Sequence, residues 1–250
     1  MPNYKLTLQY DGSRYRGWQR LPNTELTIQG KLEAVLSRIF DAPVAVSGSG
    51  RTDAGVHALG QVASFRTAVD LPPERVLAAL RQYLPADVGA VRLEYAPPRF
   101  HARLSAVSKT YRYRVWNSDE PCVFERRWVY VFPDALDLGR MRQAAEKLLL
   151  THDFRAFSAD RTKKSTVRTL TAVQIERVGP EVRFMLTGDG FLHHMVRILV
   201  GTLLEVGTGE RSAEEMPELL ASRDRARAGF TAPAKGLTLW DVEYDPPLSS

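Results

Sequence analysis

Polar and apolar positions alternate along YKLTLQYD, residues 4–11, with the period of two that a half-buried β-strand imposes. The period then changes. Ile28, Leu32, Val35, Leu36 and Ile39 recur at the spacing of one helix face, and Thr27 stands where an N-cap belongs. VAVSGSG (44–50) and GQVASFRT (60–67) read as strands flanking a loop. LPPERVLAALRQYL (71–84) opens with prolines and puts Val76, Leu77, Leu80 and Leu84 on one face of a second helix. VGAVRLEYAP (88–97) closes the segment as a strand. The order βαββαβ, in roughly 100 residues, is that of the ferredoxin-like split motif.

The second half follows the same plan more loosely. KTYRYRVWN (109–117) alternates as a strand, and DLGRMRQAAEKLLL (137–150) is amphipathic through Met141, Ala145, Leu148 and Leu149. VRTLTAVQIERVGPEVRFMLTGDG (167–190) reads as a hairpin turning at Gly179 and Pro180. FLHHMVRILVGTLLEV (191–206) reads as a helix and LTLWDVEYDP (237–246) as a final strand. Ser212 and Glu215 form a capping-box pattern, with Pro217 unusually deep for a helix starting there. The pattern predicts an α+β protein of two ferredoxin-like halves, 1–105 and 106–250, sharing a continuous, mainly antiparallel sheet with a central cleft. The loop around Asp53 is expected near their junction.

Composition narrows this little. The chain has 250 residues, 44% hydrophobic and 25% charged, an ordinary globular balance. Lys and Arg number 34 against 29 Asp and Glu, a net charge of +5, which permits an anionic partner without demanding one. A single cysteine, Cys122, excludes an internal disulfide framework and a Cys-rich zinc site. No apolar run reaches the ~20 residues of a membrane span, and MPNYKLTLQYDG lacks the apolar core of a signal peptide. The expectation is a soluble, cytoplasmic protein without membrane contact.

Candidate chemistry begins in SGSGRTDAGVHALG (47–60). Gly48 and Gly50 fit the first two glycines of a dinucleotide-binding turn, but Asp53 takes the place of the third, where a carboxylate would repel a pyrophosphate. No Gly-Lys-Ser/Thr follows, so a P-loop is excluded too. DGSRYRGWQR (11–20) interleaves Arg14, Arg16 and Arg20 with Tyr15 and Trp18. That pattern suits phosphates and splayed bases, or equally a solvated loop with its Trp in the core. RAFSADRTKKSTVRTL (155–170) sets Arg155, Arg161, Lys163, Lys164 and Arg168 against Asp160, and RFHARLSAVSKTYRYR (99–114) is a third basic segment. Three such segments in a chain of +5 mean segregated charge, which points to nucleic acid.

Arg197 sits in a helical segment apolar on nearly every side, so it is expected to be partly buried and to need a carboxylate. Asp53, Asp189 and a surface glutamate are the alternatives, with a turn role favoured for Asp189. His193 and His194, if helical, point about 100° apart with no third ligand at a suitable spacing, so no metal is expected.

GSGRTDAGVHALGQVASF, with YDGSRYRGWQ before it and FHARLSAVSKTYRYRV, FLHHMVRILVGTLLEVG and AGFTAPAKGLTLWDVEY after it, resembles the TruA family of tRNA pseudouridine synthases over nearly the whole chain. Ser64 and Lys109 are small departures, standing where the family often has His and Arg. The resemblance implies isomerisation of uridine to pseudouridine at positions 38, 39 and 40 of the tRNA anticodon stem-loop, in a basic cleft, by a homodimer without metal or organic cofactor. It implies Asp53 as the catalytic aspartate, Tyr111 as the tyrosine stacking on the target base and a candidate for proton transfer, Arg197 as the cation paired with Asp53, and Arg51 as a side chain that helps displace the base. Lys163 and Lys164 are candidate phosphate contacts from their basic loop. A plain RNA-binding module would share the basic segments but has no use for the carboxylate. A glycoside hydrolase would need a second carboxylate nearby, and the signature holds none. Attack by Asp53 at C1′, attack at C6, and a glycal route all remain open.

Overall fold

The computed structural model describes residues 1–160, 162 and 164–245. They form two compact units, one of 1–107 with the chain from Leu239 onward, the other of 108–238. The protein is α+β, and its strands pair almost entirely antiparallel.

The first unit contains β1 (Asn3–Tyr10), α1 (Ile28–Phe40), β2 (Val46–Gly48), β3 (His57–Arg66), α2 (Pro73–Tyr83) and β4 (Val88–Tyr95). β1 lies between β4 and β3, and β2 pairs with β3, which gives the βαββαβ order read from the pattern. The alternation in β1 buries Tyr4, Leu6 and Leu8, and the helices bring Leu32, Leu36, Val76 and Leu80 into the same core. Tyr4 stacks on Phe65 with ring centroids 5.0 Å apart. Thr27 caps α1 as expected, its hydroxyl accepting from the Gly30 N–H at 3.2 Å.

The chain's last strand, Leu237–Tyr244, lies beside β3. Pattern alone grouped it with the C-terminal half, but from Leu239 onward it belongs to the first unit. The Tyr244 hydroxyl donates to the Ala102 carbonyl at 2.6 Å, its ring lies 5.1 Å from that of Phe100, and the Lys5 ammonium sits 4.9 Å from the Tyr244 centroid.

The second unit takes in β5 (Ala106–Trp116) from Ser108 on, then β6 (Tyr130–Val131), α3 (Leu138–Glu146), β7 (Thr151–Asp153), β8 (Val167–Val178), β9 (Glu181–Gly188), α4 (Met195–Thr208) and α5 (Met216–Ser222). Its strands run β5-β9-β8-β7, with β6 parallel to β5. The β8–β9 hairpin turns at Gly179 and Pro180, with Val178 opposite Glu181. Tyr113, Val115, Val182, Phe184 and Leu186 are buried, and so are most residues of α4.

Two boundaries differ from the pattern. The α3 helix ends at Glu146, and Leu148 and Leu149 continue in tight turns, their N–H groups bonding to Ala145 and Glu146. The α4 helix starts at Met195, four residues later than its hydrophobicity suggests, because His194 adopts a left-handed conformation (φ 60) at the N-cap. The Ser212–Glu215 capping box is real but opens a 3₁₀ turn, Ala213–Glu215. Pro217 then falls in the first turn of α5, where its missing N–H is not needed.

Candidate active site

Asp53 is half-buried in the loop between β2 and β3. Its carbonyl accepts from the Val56 N–H at 3.1 Å, closing a turn in which Gly55 has φ 78. A positive φ at that third turn position calls for glycine. Upstream, the Ser49 N–H bonds to the Val62 carbonyl at 2.7 Å, and Thr52 Oγ1 lies 2.8 Å from the Tyr10 hydroxyl. Arg51 is exposed.

The segment 11–20 forms the floor of this loop. The Trp18 N–H donates to the Thr52 carbonyl at 3.0 Å, and the Gly55 N–H to the Tyr15 carbonyl at 3.3 Å. Tyr15 and Trp18 are each 2% exposed, so this basic-aromatic stretch buries its rings in the core rather than offering them to bases. Of its arginines, Arg14 pairs with Asp87 and Arg20 with Glu33, while Arg16 is exposed. Gly48 is explained the same way: a Cβ there would stand 2.5 Å from the Trp18 ring. The glycine makes room for a tryptophan, a signal the loop sequence does not carry by itself.

The other candidates lie in the second unit. Tyr111, on β5 opposite Leu186, is 7% exposed, and Phe191 meets its ring edge-on at 5.1 Å. Phe191 reads from sequence as helix core, yet it precedes the helix. Arg197, on α4, is half-buried. Its Nε donates to the Ala232 carbonyl at 2.7 Å, and the Ala232 N–H donates back to the Arg197 carbonyl at 3.1 Å. Next to them the Tyr113 hydroxyl donates to the Pro233 carbonyl at 2.8 Å. Burial pushes the Tyr113 phenol far above its ordinary range, with Arg197 pulling the other way.

Residues 228–233 are thus held against α4, and further bonds secure them. The Gly229 N–H donates to Thr202 Oγ1 and the Phe230 N–H to Glu205 Oε1, each at 3.0 Å. The Asp189 carboxylate accepts from the Thr169 N–H at 3.0 Å, so it bonds across to β8 rather than within its own turn.

His193 and His194 precede α4, so the helical geometry assumed for them does not apply; their ring centroids lie 3.9 Å apart. The His193 carbonyl accepts from the Ala159 N–H at 3.0 Å, tying the base of the basic loop to the start of α4. Lys164 is exposed, and Lys163 lies outside the described residues. Across the loop, Asp153 bonds the Thr166 hydroxyl and pairs with Arg223 at 3.1 Å. Burial raises the Asp153 carboxyl, but Thr166, the Arg155 N–H and Arg223 outweigh it and hold it below the usual carboxylate range.

A family model described as tRNA pseudouridine synthase matches residues 7–103 and 144–245. The first stretch contains Asp53 and the second Arg197; Tyr111 falls between them. A tRNA pseudouridine synthase A of Bacillus sp. (strain KSM-64) is 44% identical over 245 residues, 98% of this chain and 100% of its own. One of Acetivibrio thermocellus is 45% identical over the same shares. One of Halalkalibacterium halodurans is 46% identical over 239 residues, 95% of this chain and 90% of its own. Matched on both sides of its middle segment and similar to these relatives over nearly its full length, the chain belongs to the tRNA pseudouridine synthase family.

Proposed function

We propose that the protein isomerises uridine to pseudouridine in the tRNA anticodon stem-loop, at positions 38, 39 and 40, with Asp53 as the reacting carboxylate. The observation that carries this is a single acid inside SGSGRTDAGVHALG, on a loop whose neighbours are tied down on both sides. The reaction breaks the C1′–N1 bond, turns the uracil, and joins C5 to C1′. N1 gains a proton and C5 loses one, so the product is an isomer and no redox partner is required. A carboxylate beside the sugar supplies the nucleophile or base this needs.

The remaining roles follow from the resemblance. Arg197 is the cation for Asp53, and a neighbouring guanidinium favours the ionised acid. Arg51 helps displace the target base, an extrusion costing a few kcal/mol. Tyr111 stacks on the displaced base, returning ~1–3 kcal/mol. The density of charge in the basic loop, rather than the resemblance, makes Lys163 and Lys164 contacts to phosphates. The protein acts as a cytoplasmic homodimer. No helix among the described residues is long and apolar enough to cross a membrane.

The test is unmodified tRNA incubated with wild-type and Asp53→Asn protein. Pseudouridine, read by its specific chemical adduct, is expected with wild type only, at matched tRNA affinity and with no free uracil. Free uracil would mean glycoside hydrolysis. Equal pseudouridine from the mutant would remove Asp53 from the chemistry.

A further inference from the structure

We infer that Gln61 and Tyr10 are positioning residues that set the approach of Asp53; the inference rests on Asp53 being the reacting group. Gln61, on β3, is completely buried, and its amide is spent on the loop. Its Oε1 accepts from the Ser49 hydroxyl at 2.7 Å, and its Nε2 donates to the Gly50 carbonyl at 3.0 Å and to the Tyr10 hydroxyl at 3.3 Å. Besides accepting that bond, the Tyr10 hydroxyl shares a hydrogen bond with Thr52 Oγ1, 2.8 Å away. Ser49, Gly50 and Thr52 are therefore all held by one buried network, in the four residues leading into Asp53. The network is anchored to the regular part of the fold, since Gln61 faces Leu8 across the β1–β3 pairing. Tyr10 is 5% exposed, and burial pushes its phenol up to about 12, so it remains a neutral hydroxyl at physiological pH.

Packing alone does not call for these groups. A leucine and a phenylalanine would fill similar space without burying an amide and a hydroxyl, which are costly unless every partner is present. What the polar version adds is direction: each bond fixes a backbone or side-chain position next to Asp53. Catalytic groups displaced by about 1 Å can lose ~100-fold in rate.

Tyr10→Phe removes one oxygen, and Gln61→Met removes the amide at nearly constant volume. Each is expected to lower kcat about 10–100-fold while KM for tRNA stays within about 3-fold. Adding Thr52→Val to Tyr10→Phe should cost little further kcat, because their shared bond is already gone. Val76→Ala, a core truncation on α2 outside the network, is the control for reduced stability. Its kcat should stay at wild type below the melting range. Losses in Tyr10→Phe and Gln61→Met no greater than in Val76→Ala would overturn the positioning role. If Gln61→Met does not fold, Tyr10→Phe with its Thr52→Val cycle decides the matter. Asp53→Asn run in parallel separates the two ideas. An active Asp53→Asn refutes the role of Asp53, whereas an inactive one beside fully active Tyr10→Phe and Gln61→Met refutes only the positioning.

Discussion

Arg197 and Ala232 hold each other through two hydrogen bonds, Nε to carbonyl at 2.7 Å and N–H to carbonyl at 3.1 Å. One edge of the guanidinium is thereby committed to main chain, and its planar shape then fixes where the two terminal nitrogens point. Lysine keeps the charge but has neither the Nε bond nor the fork. Arg197→Lys is therefore expected to fold and yet lose at least about tenfold in kcat. If Arg197 is the partner of Asp53, the stability losses of Arg197→Met and Asp53→Asn will be strongly non-additive in a double-mutant cycle. Additive losses, read from urea unfolding, would separate the two residues.

Gly201 faces the loop that contains Ala232. A Cβ there would stand 1.9 Å from the Phe230 carbonyl oxygen. Helix propensity by itself favours alanine over glycine by about 1 kcal/mol. Overpacking against a backbone atom works against that, costing about 1–3 kcal/mol or more. Gly201→Ala should thus lower the melting temperature, and kcat should fall with it as the Ala232 loop moves. A rise in melting temperature would show that the loop gives way freely.

Gly17 supports the Asp53 loop from below. It has φ 95, and a Cβ would lie 2.6 Å from the Thr52 carbonyl. Gly17→Ala carries about 1–3 kcal/mol of backbone strain in addition to that clash. The expected result is a fall in both stability and kcat, with Kd for tRNA changed little if phosphate contacts elsewhere set it. Measuring Kd and kcat on the same preparation checks it.

Glu181 is 5% exposed and receives hydrogen bonds from Arg114 and Arg183. Burial raises its carboxyl, but the two arginines outweigh this and hold it below the ordinary glutamate range. Its folded pKa is thus below the unfolded value, near 4.3. The stability it contributes is fully present above that value and is lost as the pH falls through the lower folded pKa. Glu181→Gln should cost about 1–3 kcal/mol at neutral pH, because Arg114 is left with Glu125 as its carboxylate partner. It should also flatten the fall in stability below about pH 4. Urea unfolding of both proteins from pH 3 to 7 tests both effects.

Lys163→Ala with Lys164→Ala should make log affinity for tRNA less steep against log salt, by about 0.7–0.9 for each phosphate that the loop no longer neutralises. Different tRNAs should weaken alike. An unchanged slope would take this loop out of the RNA site.

Elements that depend on neighbours in the chain were readable in advance. Thr27 caps α1, Gly179 and Pro180 turn the β8–β9 hairpin, and β1 alternates as it should, since each depends on residues a few positions apart. The start of α4 was not readable. Phe191 and Leu192 are as apolar as the helix that follows, and periodicity cannot register a left-handed φ at His194. The deep Pro217 misled for a similar reason: a 3₁₀ turn and a helix abut without a break in the pattern.

By itself the sequence determined the α+β class, the βαββαβ order of the first unit and the loop that contains Asp53, because period, caps and a chemically odd residue are local properties. Only the tertiary structure decided why residues of the Asp53 loop, and separately Arg197 on α4, are set as they are. Gly48 is small because Trp18 lies against it, Gln61 is polar because Ser49, Gly50 and Tyr10 need partners, and Arg197 is oriented by Ala232, 35 positions later. These are meetings between segments far apart in the chain. Steric fit and hydrogen-bond satisfaction are settled only when such segments come together.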